Sequence, residues 1–252
     1  MKIVRFRYQD TISYGILENR RIRRIEGSVF GDYTITSESY PLDTVVLLAP
    51  CQPSKAVCVG LNYRDHAEEL KLPIPSEPVL FIKPSTSVIG PGDPIIHPRQ
   101  SNRVDHEAEL TIVIKKTTKD VEEADAPDYI LGYTCGNDVT ARDLQSPQGQ
   151  WTLAKAFDTF LPLGPVITDE VDGDHLEIEA RVNGVIKQHS NTANLIFKPA
   201  YLVSYISKIM TLCPGDIIMT GTPGGISPMK VGDQVEIEIK GIGILQNPIG
   251  EA

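Results

Sequence analysis

Glu107 and Glu109 stand two residues apart in Asp105-His106-Glu107-Ala108-Glu109-Leu110-Thr111-Ile112-Val113-Ile114, and the run after the pair is apolar and β-branched. Such a run reads as a strand, and side chains two apart on a strand share a face. Two adjacent carboxylates repel each other, and a cation between them removes the repulsion. Oxygen ligands with no cysteine nearby suit Mg²⁺, Mn²⁺ or Ca²⁺. Asp138 follows the apolar segment 129–137, where a third oxygen ligand could sit at a strand end. An acidic pair on a strand is more often a solvated face, but the apolar run beside this one argues for a face that is not fully wet.

Other residues carry chemistry with plainer alternatives. His66 and Glu69 share a face if their segment is helical. A carboxylate there holds an imidazole in one tautomer and raises its basicity, as a general base requires; a surface His beside a surface Glu has the same spacing. Lys155 lies in the apolar-aromatic run Trp151-Thr152-Leu153-Ala154-Lys155-Ala156-Phe157, so it must snorkel or meet an anion. Lys83, at a strand end, faces the same choice. Arg142 and Gln145 follow Asp138 on a turn or short helix, where the guanidinium either grips a carboxylate bidentately or lies exposed. In Thr220-Gly221-Thr222-Pro223-Gly224-Gly225 the glycines admit close approach of a ligand. The loop lacks both the Walker A ending and the Rossmann glycine spacing, and a plain turn fits it equally well.

The elements that must position these residues are mostly strands. Residues 1–50 alternate apolar and polar positions between Gly15, Gly27, Gly31 and Asp32, which predicts a small β-rich N-terminal domain. The main domain, 51–252, opens with a buried strand at 56–60. Helix formers follow at 62–70 after an Asn/Asp start signal. Prolines bar regular helix from 71–78, and the stretch from His66 to Glu77 is expected to act as a mobile lid. A strand at 79–83 stops at Pro84, and 89–98 reads as loop. Residues 176–182 alternate and meet Asn183-Gly184, a hairpin signal. Pro199 opens a helix expected to run to about Leu212, with Leu202, Tyr205, Ile206 and Ile209 on one face. Strands at 216–220 and 235–239 follow, the second expected to be the last. The pattern is predominantly β with a few helices, an α+β chain without the alternation of a parallel α/β fold.

The chain of 252 residues is long enough to bury a sizeable core. Its net charge of −9 disfavours nucleic-acid binding, because phosphate contacts need a basic surface. No apolar stretch approaches a membrane span, and the N-terminus has no signal-peptide pattern. Cys51, Cys58, Cys135 and Cys213 are scattered without a Cys-x-x-Cys, as expected of inert thiols in a reducing cytoplasm.

Taken in order, Gly60-Leu61-Asn62-Tyr63-Arg64-Asp65-His66, Phe81-Ile82-Lys83-Pro84-Ser85, His106-Glu107-Ala108-Glu109-Leu110, Asp138-Val139-Thr140-Ala141-Arg142-Asp143, Trp151-Thr152-Leu153-Ala154-Lys155 and Thr220-Gly221-Thr222-Pro223 resemble the fumarylacetoacetate hydrolase family over about residues 55–249. The resemblance implies a mixed β-sandwich roll, usually a homodimer. It implies Glu107, Glu109 and Asp138 as ligands of Mg²⁺ (or Mn²⁺ or Ca²⁺), a water-activating His66/Glu69 dyad, and Lys155 against the reacting oxygen. Thr222 would contact a substrate carboxylate, while Lys83, Arg142 and Gln145 would bind substrate. Fumarylacetoacetase proper carries a further metal-side Asp in an Asp-Tyr-Thr-Asp-Phe segment and a much larger N-terminal domain. With Asn62-Tyr63-Arg64-Asp65 there and a short N-terminal part, the chain is more similar to the small branch. That branch includes acylpyruvate hydrolases, oxaloacetate decarboxylases and 2-hydroxyhepta-2,4-diene-1,7-dioate isomerases. The expected substrate is a 2-oxo acid or its enol, and the expected chemistry is C–C cleavage through a metal-stabilised enolate. A non-catalytic 2-oxo-acid binder would need the metal ligands but not the dyad.

Overall fold

In the computed structural model, residues 1–71, 73–147 and 149–252 are described, with residue 70 described by its backbone alone. The N-terminal strands are β1 (Lys2–Tyr8), β2 (Thr11–Glu18), β3 (Arg21–Gly27), β4 (Tyr33–Pro41) and β5 (Val46–Leu48). Next come β6 (Lys55–Gly60), helix α1 (Arg64–Leu70), β7 (Val79–Pro84), β8 (Val88–Ile89), β9 (Ile95–His97) and β10 (Val104–Asp105). The middle of the chain supplies β11 (Ala108–Ile114), β12 (Ile130–Asn137), β13 (Thr140–Ala141), α2 (Thr152–Lys155) and β14 (Leu161–Thr168). The rest holds β15 (Glu177–Val182), β16 (Val185–Asn191), α3 (Pro199–Ile209), β17 (Ile217–Met219), β18 (Pro228–Met229), β19 (Gln234–Ile239) and β20 (Gly243–Glu251).

The largest sheet runs β4-β3-β2-β1-β14-β12-β11-β17-β6-β7, with β5 and β8 attached at β1 and β14. A second sheet, β16-β15-β19-β20-β9, packs across part of it. Leu110 and Cys135 of the first and Ile178, Ala180, Val235, Ile237 and Leu245 of the second share one apolar cluster. This is sandwich packing, with inner faces interdigitating. The strands near the site are buried on both sides. Val57 and Val59 of β6 pack with Leu202, Val203 and Ile206 of α3, whereas Ala56 and Cys58 face a separate cluster with Ile3, Ile16 and Met219. That double burial explains why β6 and β11 read as continuous apolar runs.

The N-terminal strands are not structurally separate, because β1 pairs with β14 through Lys2↔Thr168 and Ile3↔Ile167. The expected boundary near residue 50 thus falls inside one hydrogen-bonded sheet. The expected strand carrying both glutamates is interrupted: β10 ends at Asp105 and β11 begins at Ala108, so Glu107 sits in the break. Helix α3 ends at Ile209 rather than Leu212, and Ile209 is 55% exposed, so the buried stripe is Leu202, Val203 and Ile206. The strand at 235–239 is followed by β20, whose alternating burial includes Leu245, Asn247 and Ile249. Strand β14 was not anticipated, and it joins β1 to β12. The Asn183-Gly184 hairpin is present, with φ of 52° and 76° as a two-residue primed turn demands. Among the described residues no helix is long and apolar enough to cross a membrane.

Candidate metal centre and pocket

Three loops converge at the ends of β11, β12 and β17. The break before β11 is clasped to the end of β12: the Glu107 N–H donates to Asn137 Oδ1 (2.9 Å) and the Asp138 N–H to the Glu107 carbonyl (2.9 Å). While the His106 N–H donates to the Ser227 carbonyl, these bonds replace the missing strand pairing at Glu107. They turn Glu107 toward Glu109 and Asp138, and ligand atoms of the three carboxylates all lie within 4.8 Å of one another. The Thr140 hydroxyl lies 3.1 Å from Glu107 Oε1 and 2.8 Å from the Asp138 carbonyl. Glu109 Oε2 accepts from the Gly221 N–H at 2.7 Å. Gly221 has φ of +96°, and a Cβ there would lie 2.7 Å from that of Asn62, so only glycine lets this loop reach Glu109.

Three cations surround the cluster. Lys155 Nζ donates to Glu107 Oε2 (2.8 Å) and Asp138 Oδ2 (2.6 Å). Arg142 pairs with Glu107, with Asp105 Oδ2 (2.9 Å) and with Gln145 Oε1 (2.6 Å). Lys83 Nζ uses its three protons on Asp138 Oδ1 (2.6 Å), the Val139 carbonyl (3.0 Å) and the Phe160 carbonyl (2.6 Å). Burial alone would push the Glu107 carboxyl up, but Lys155 and Arg142 hold it well below the usual range. Glu109 is pushed the other way, by burial and then by the charges of Asp138 and Glu107. Burial works against the Lys155 ammonium, and Asp138 and Glu107 more than compensate, so it stays charged.

The dyad lies opposite. His66 Nδ1 is 3.1 Å from Glu69 Oε2, and the Glu69 carboxylate accepts from the Gly225 N–H at 3.2 Å. Asp65 fixes the start of α1 by accepting from the His66 N–H (2.7 Å) and from the Ser190 hydroxyl. Asp65 is thus an anchor away from the carboxylate cluster. Between dyad and cluster is a cavity of about 560 Å³ bordered by His66, Phe81, Glu107, Arg142, Trp151 and Thr222, among others. Trp151 meets Phe81 edge-on at 5.2 Å and gives the cavity an apolar wall.

The structure brings together Glu107, Glu109, Asp138, His66, Arg142, Gln145 and Thr222 around this cavity, with Glu69 and Lys155 directly behind. Lys83 is placed elsewhere: it is fully buried behind Asp138 with its ammonium saturated by protein oxygens, so it holds Asp138 rather than facing the cavity. Its strand-end position did not say which way it turned. Sequence reasoning also passed over Asn62, whose amide donates to the Thr220 (2.7 Å) and Phe197 (3.0 Å) carbonyls and so holds the 220–225 loop. Its place between Gly60 and His66 was the available signal. Thr140, two residues after Asp138, was likewise readable as a hydroxyl able to turn back on its neighbours. In the stretch expected to form a lid, α1 ends at Leu70 and the described residues beyond it carry no helix up to β7; residue 72 lies outside the described residues.

Residues 55–250 match the model of the fumarylacetoacetate (FAA) hydrolase C-terminal family, and residues 1–50 match the Rv2993c-like N-terminal model. Oxaloacetate tautomerase fahd2 of Xenopus laevis mitochondria is 45% identical over 218 residues, covering 81% of this chain and 68% of that protein. The crystal structure of 2-hydroxyhepta-2,4-diene-1,7-dioate isomerase from Mycobacterium marinum superposes with a TM-score of 0.93 at 44% identity, over 100% of this chain and 98% of that one. The maleylpyruvate hydrolase of Sphingobium sp. SYK-6, solved with manganese(II) and pyruvate, superposes with a TM-score of 0.84 at 29% identity over the whole of both chains.

Proposed function

Because the chain belongs to the fumarylacetoacetate hydrolase family, we propose that it is a divalent-metal-dependent enzyme acting on 2-oxo acids or their enols. The observation that carries this reading is the convergence of three buried carboxylates beside a His–Glu dyad on one cavity. The donor set fits a hard cation: three carboxylates, no thiol or imidazole among them, and one of them, Glu109, burdened by its like-charged neighbours. Glu107, Glu109 and Asp138 would hold Mg²⁺, with Mn²⁺ as the alternative that the maleylpyruvate hydrolase complex favours. When bound, the cation supplies Lewis acidity for the negative charge that develops on the 2-oxo oxygen.

The remaining work falls to the protein's side chains. Lys155, already charged and buried at the cluster, places a second positive charge where an enolate oxygen would form. Arg142, Gln145 and Thr222 bind carboxylate oxygens of the substrate, and Phe81 and Trp151 exclude water from one side. His66, oriented by Glu69, takes a proton from water for attack on a distal carbonyl, which is acylpyruvate-type hydrolysis. Oxaloacetate-type decarboxylation needs the electron sink but no attacking water. We assign closure over the cavity to the stretch from His66 to Glu77, and a homodimer as the assembly.

A second reading is proton transfer without C–C cleavage, favoured by the likeness to an oxaloacetate tautomerase and to a 2-hydroxyhepta-2,4-diene-1,7-dioate isomerase. His66 would then move a proton at C3. A panel of acylpyruvates, oxaloacetate and a 2-hydroxydienoate, incubated with Mg²⁺ and followed by NMR, separates the readings. Hydrolysis releases a carboxylic acid, decarboxylation releases CO₂, and tautomerisation changes only the keto–enol interconversion rate. Absence of turnover across the panel with either Mg²⁺ or Mn²⁺ contradicts the proposal and favours a binder.

A further inference from the structure

Gln188 is a buried residue on an exposed edge strand. β16 is the outer strand of its sheet, and Val185, Ile186, Lys187 and His189 are exposed while Gln188 keeps 1% of its surface. Ala180 pairs with Gln188 and Arg181 with Ile186, so Lys187 is an extra residue, and such a bulge re-aims the neighbouring side chains. The 220–225 loop presses on this point, where a Cβ at Gly225 would lie 2.1 Å from the Lys187 carbonyl oxygen.

The orientation of the Gln188 amide follows from its backbone partners. The Ala108 N–H donates to one end at 2.9 Å, so that end is the oxygen. The Pro223 carbonyl accepts from the other end at 2.7 Å, so that end is the nitrogen. His106 Nδ1 lies 3.0 Å from the same amide oxygen and therefore donates, while its Nε2 meets the Ser227 hydroxyl at 2.9 Å. Thr222 Oγ1 lies 2.8 Å from the amide nitrogen and must accept from it. The hydroxyl proton of Thr222 is then left to point away from Gln188, and Thr222 borders the cavity that Glu107 and Arg142 also line.

We propose that Gln188 is a positioning residue that fixes the Thr222 hydroxyl as a hydrogen-bond donor toward the carboxylate of a bound 2-oxo acid. The identity of the acceptor rests on the function proposed above, whereas the direction of the hydroxyl does not. Two measurements separate these parts. Neutron diffraction from deuterium-exchanged crystals of the unliganded protein reads the hydroxyl directly. The expected result is two deuterons on Gln188 Nε2 and the Thr222 deuteron turned to the cavity. A Thr222 deuteron aimed at Gln188 overturns the proposal.

Calorimetric titration of the Mg²⁺-loaded protein with oxalate reads the consequence. Gln188→Glu keeps the oxygen that Ala108 and His106 use and removes the donor to Thr222. Gln188→Glu and Thr222→Val are each expected to weaken oxalate binding about 10-fold, the loss of one hydrogen bond to a charged group. Thr222→Ser should retain wild-type affinity. The double variant should bind no more weakly than Thr222→Val, since Gln188 then has nothing to position. Additive losses, about 100-fold in the double variant, or unchanged binding in Gln188→Glu, overturn the proposal. If the wild-type protein binds no oxalate, the functional reading fails, and the neutron map still judges Gln188 independently.

Discussion

Glu109 makes no ion pair among the described residues, while Glu107 is paired with Lys155 and Arg142, and Asp138 with Lys83 and Lys155. Glu109 is therefore the carboxylate whose charge a bound cation relieves most. Glu109→Gln keeps an oxygen for the Gly221 N–H and removes the repulsion. In EDTA this variant should melt a few degrees above wild type, since about 1 kcal/mol moves Tm by about 2–4 °C in a domain of this size. It should also lose the rise in Tm that Mg²⁺ gives the wild type by binding the native state. Thermal unfolding with and without Mg²⁺ checks both. His66→Ala should lower hydrolysis of an acylpyruvate by about 10²–10⁴-fold while sparing oxaloacetate decarboxylation. Equal losses on the two substrates would show that water activation is not a separable task of His66. Spacing singled out the carboxylates and the dyad, as a Glu-x-Glu pair with a later acid and an i, i+3 pair, but it fitted plainer readings as well, and only the ordered family motifs chose between them. Lys83 was not, since a lysine at a strand end is equally suited to a cavity and to a buried ion pair.

Among the elements, the parallel pair β6/β17 sets the site, because the segments leaving its C-terminal ends carry Asn62 and, on α1, His66 on one side and Gly221 and Thr222 on the other. Its opposite end is secured by Asp216. That carboxylate accepts from the Ser54 N–H (2.9 Å) and hydroxyl (2.7 Å), the Lys55 N–H (3.2 Å) and ammonium (2.5 Å), and the Cys213 N–H (2.8 Å). Burial raises the Asp216 pKa, but the donors, Lys55 first, outweigh it and leave the group below its ordinary value. A carboxyl depressed in the native state stabilises it above the unfolded-state pKa, and that stability is lost as pH falls through the native value. Asp216→Asn should therefore cost about 1–3 kcal/mol at neutral pH, with the gap closing below about pH 4. Chemical denaturation at pH 7 and at low pH measures the difference, and a gap independent of pH contradicts the assignment. The elements themselves were readable where periodicity or turn chemistry was strong, as in 176–187. The break at 106–107 was not, because it depends on Asn137 and Asp138 across the sheet. β14 was passed over because Pro162, Gly164 and Pro165 interrupt its apolar run, and such residues seldom mark a central strand.

For the whole molecule, the sandwich buries three of the four cysteines and exposes Cys213. Burial pushes the Cys51 and Cys135 thiols up to about 12 and Cys58 well above its ordinary value. One thiol per chain should thus react rapidly with a disulfide reagent in the native protein and four after denaturation; more than one rapid native thiol contradicts this core. The predominantly β character was legible from alternation and the sandwich only through the family resemblance, but the union of residues 1–50 with the main sheet was not, because β1 pairs with β14 more than 150 residues away and leaves no local signal. The proposed function requires that Glu107 and Glu109 at the start of β11 and Asp138 after β12 form one cation site that holds a 2-oxo acid. Anomalous diffraction at the manganese edge, from crystals grown with Mn²⁺ and oxalate, tests it most directly. The expected result is a single manganese peak ligated by Glu107, Glu109 and Asp138, with oxalate on the metal and facing Lys155 and Thr222. Manganese elsewhere, or an empty cluster with Lys155 still bridging Glu107 and Asp138, would contradict it.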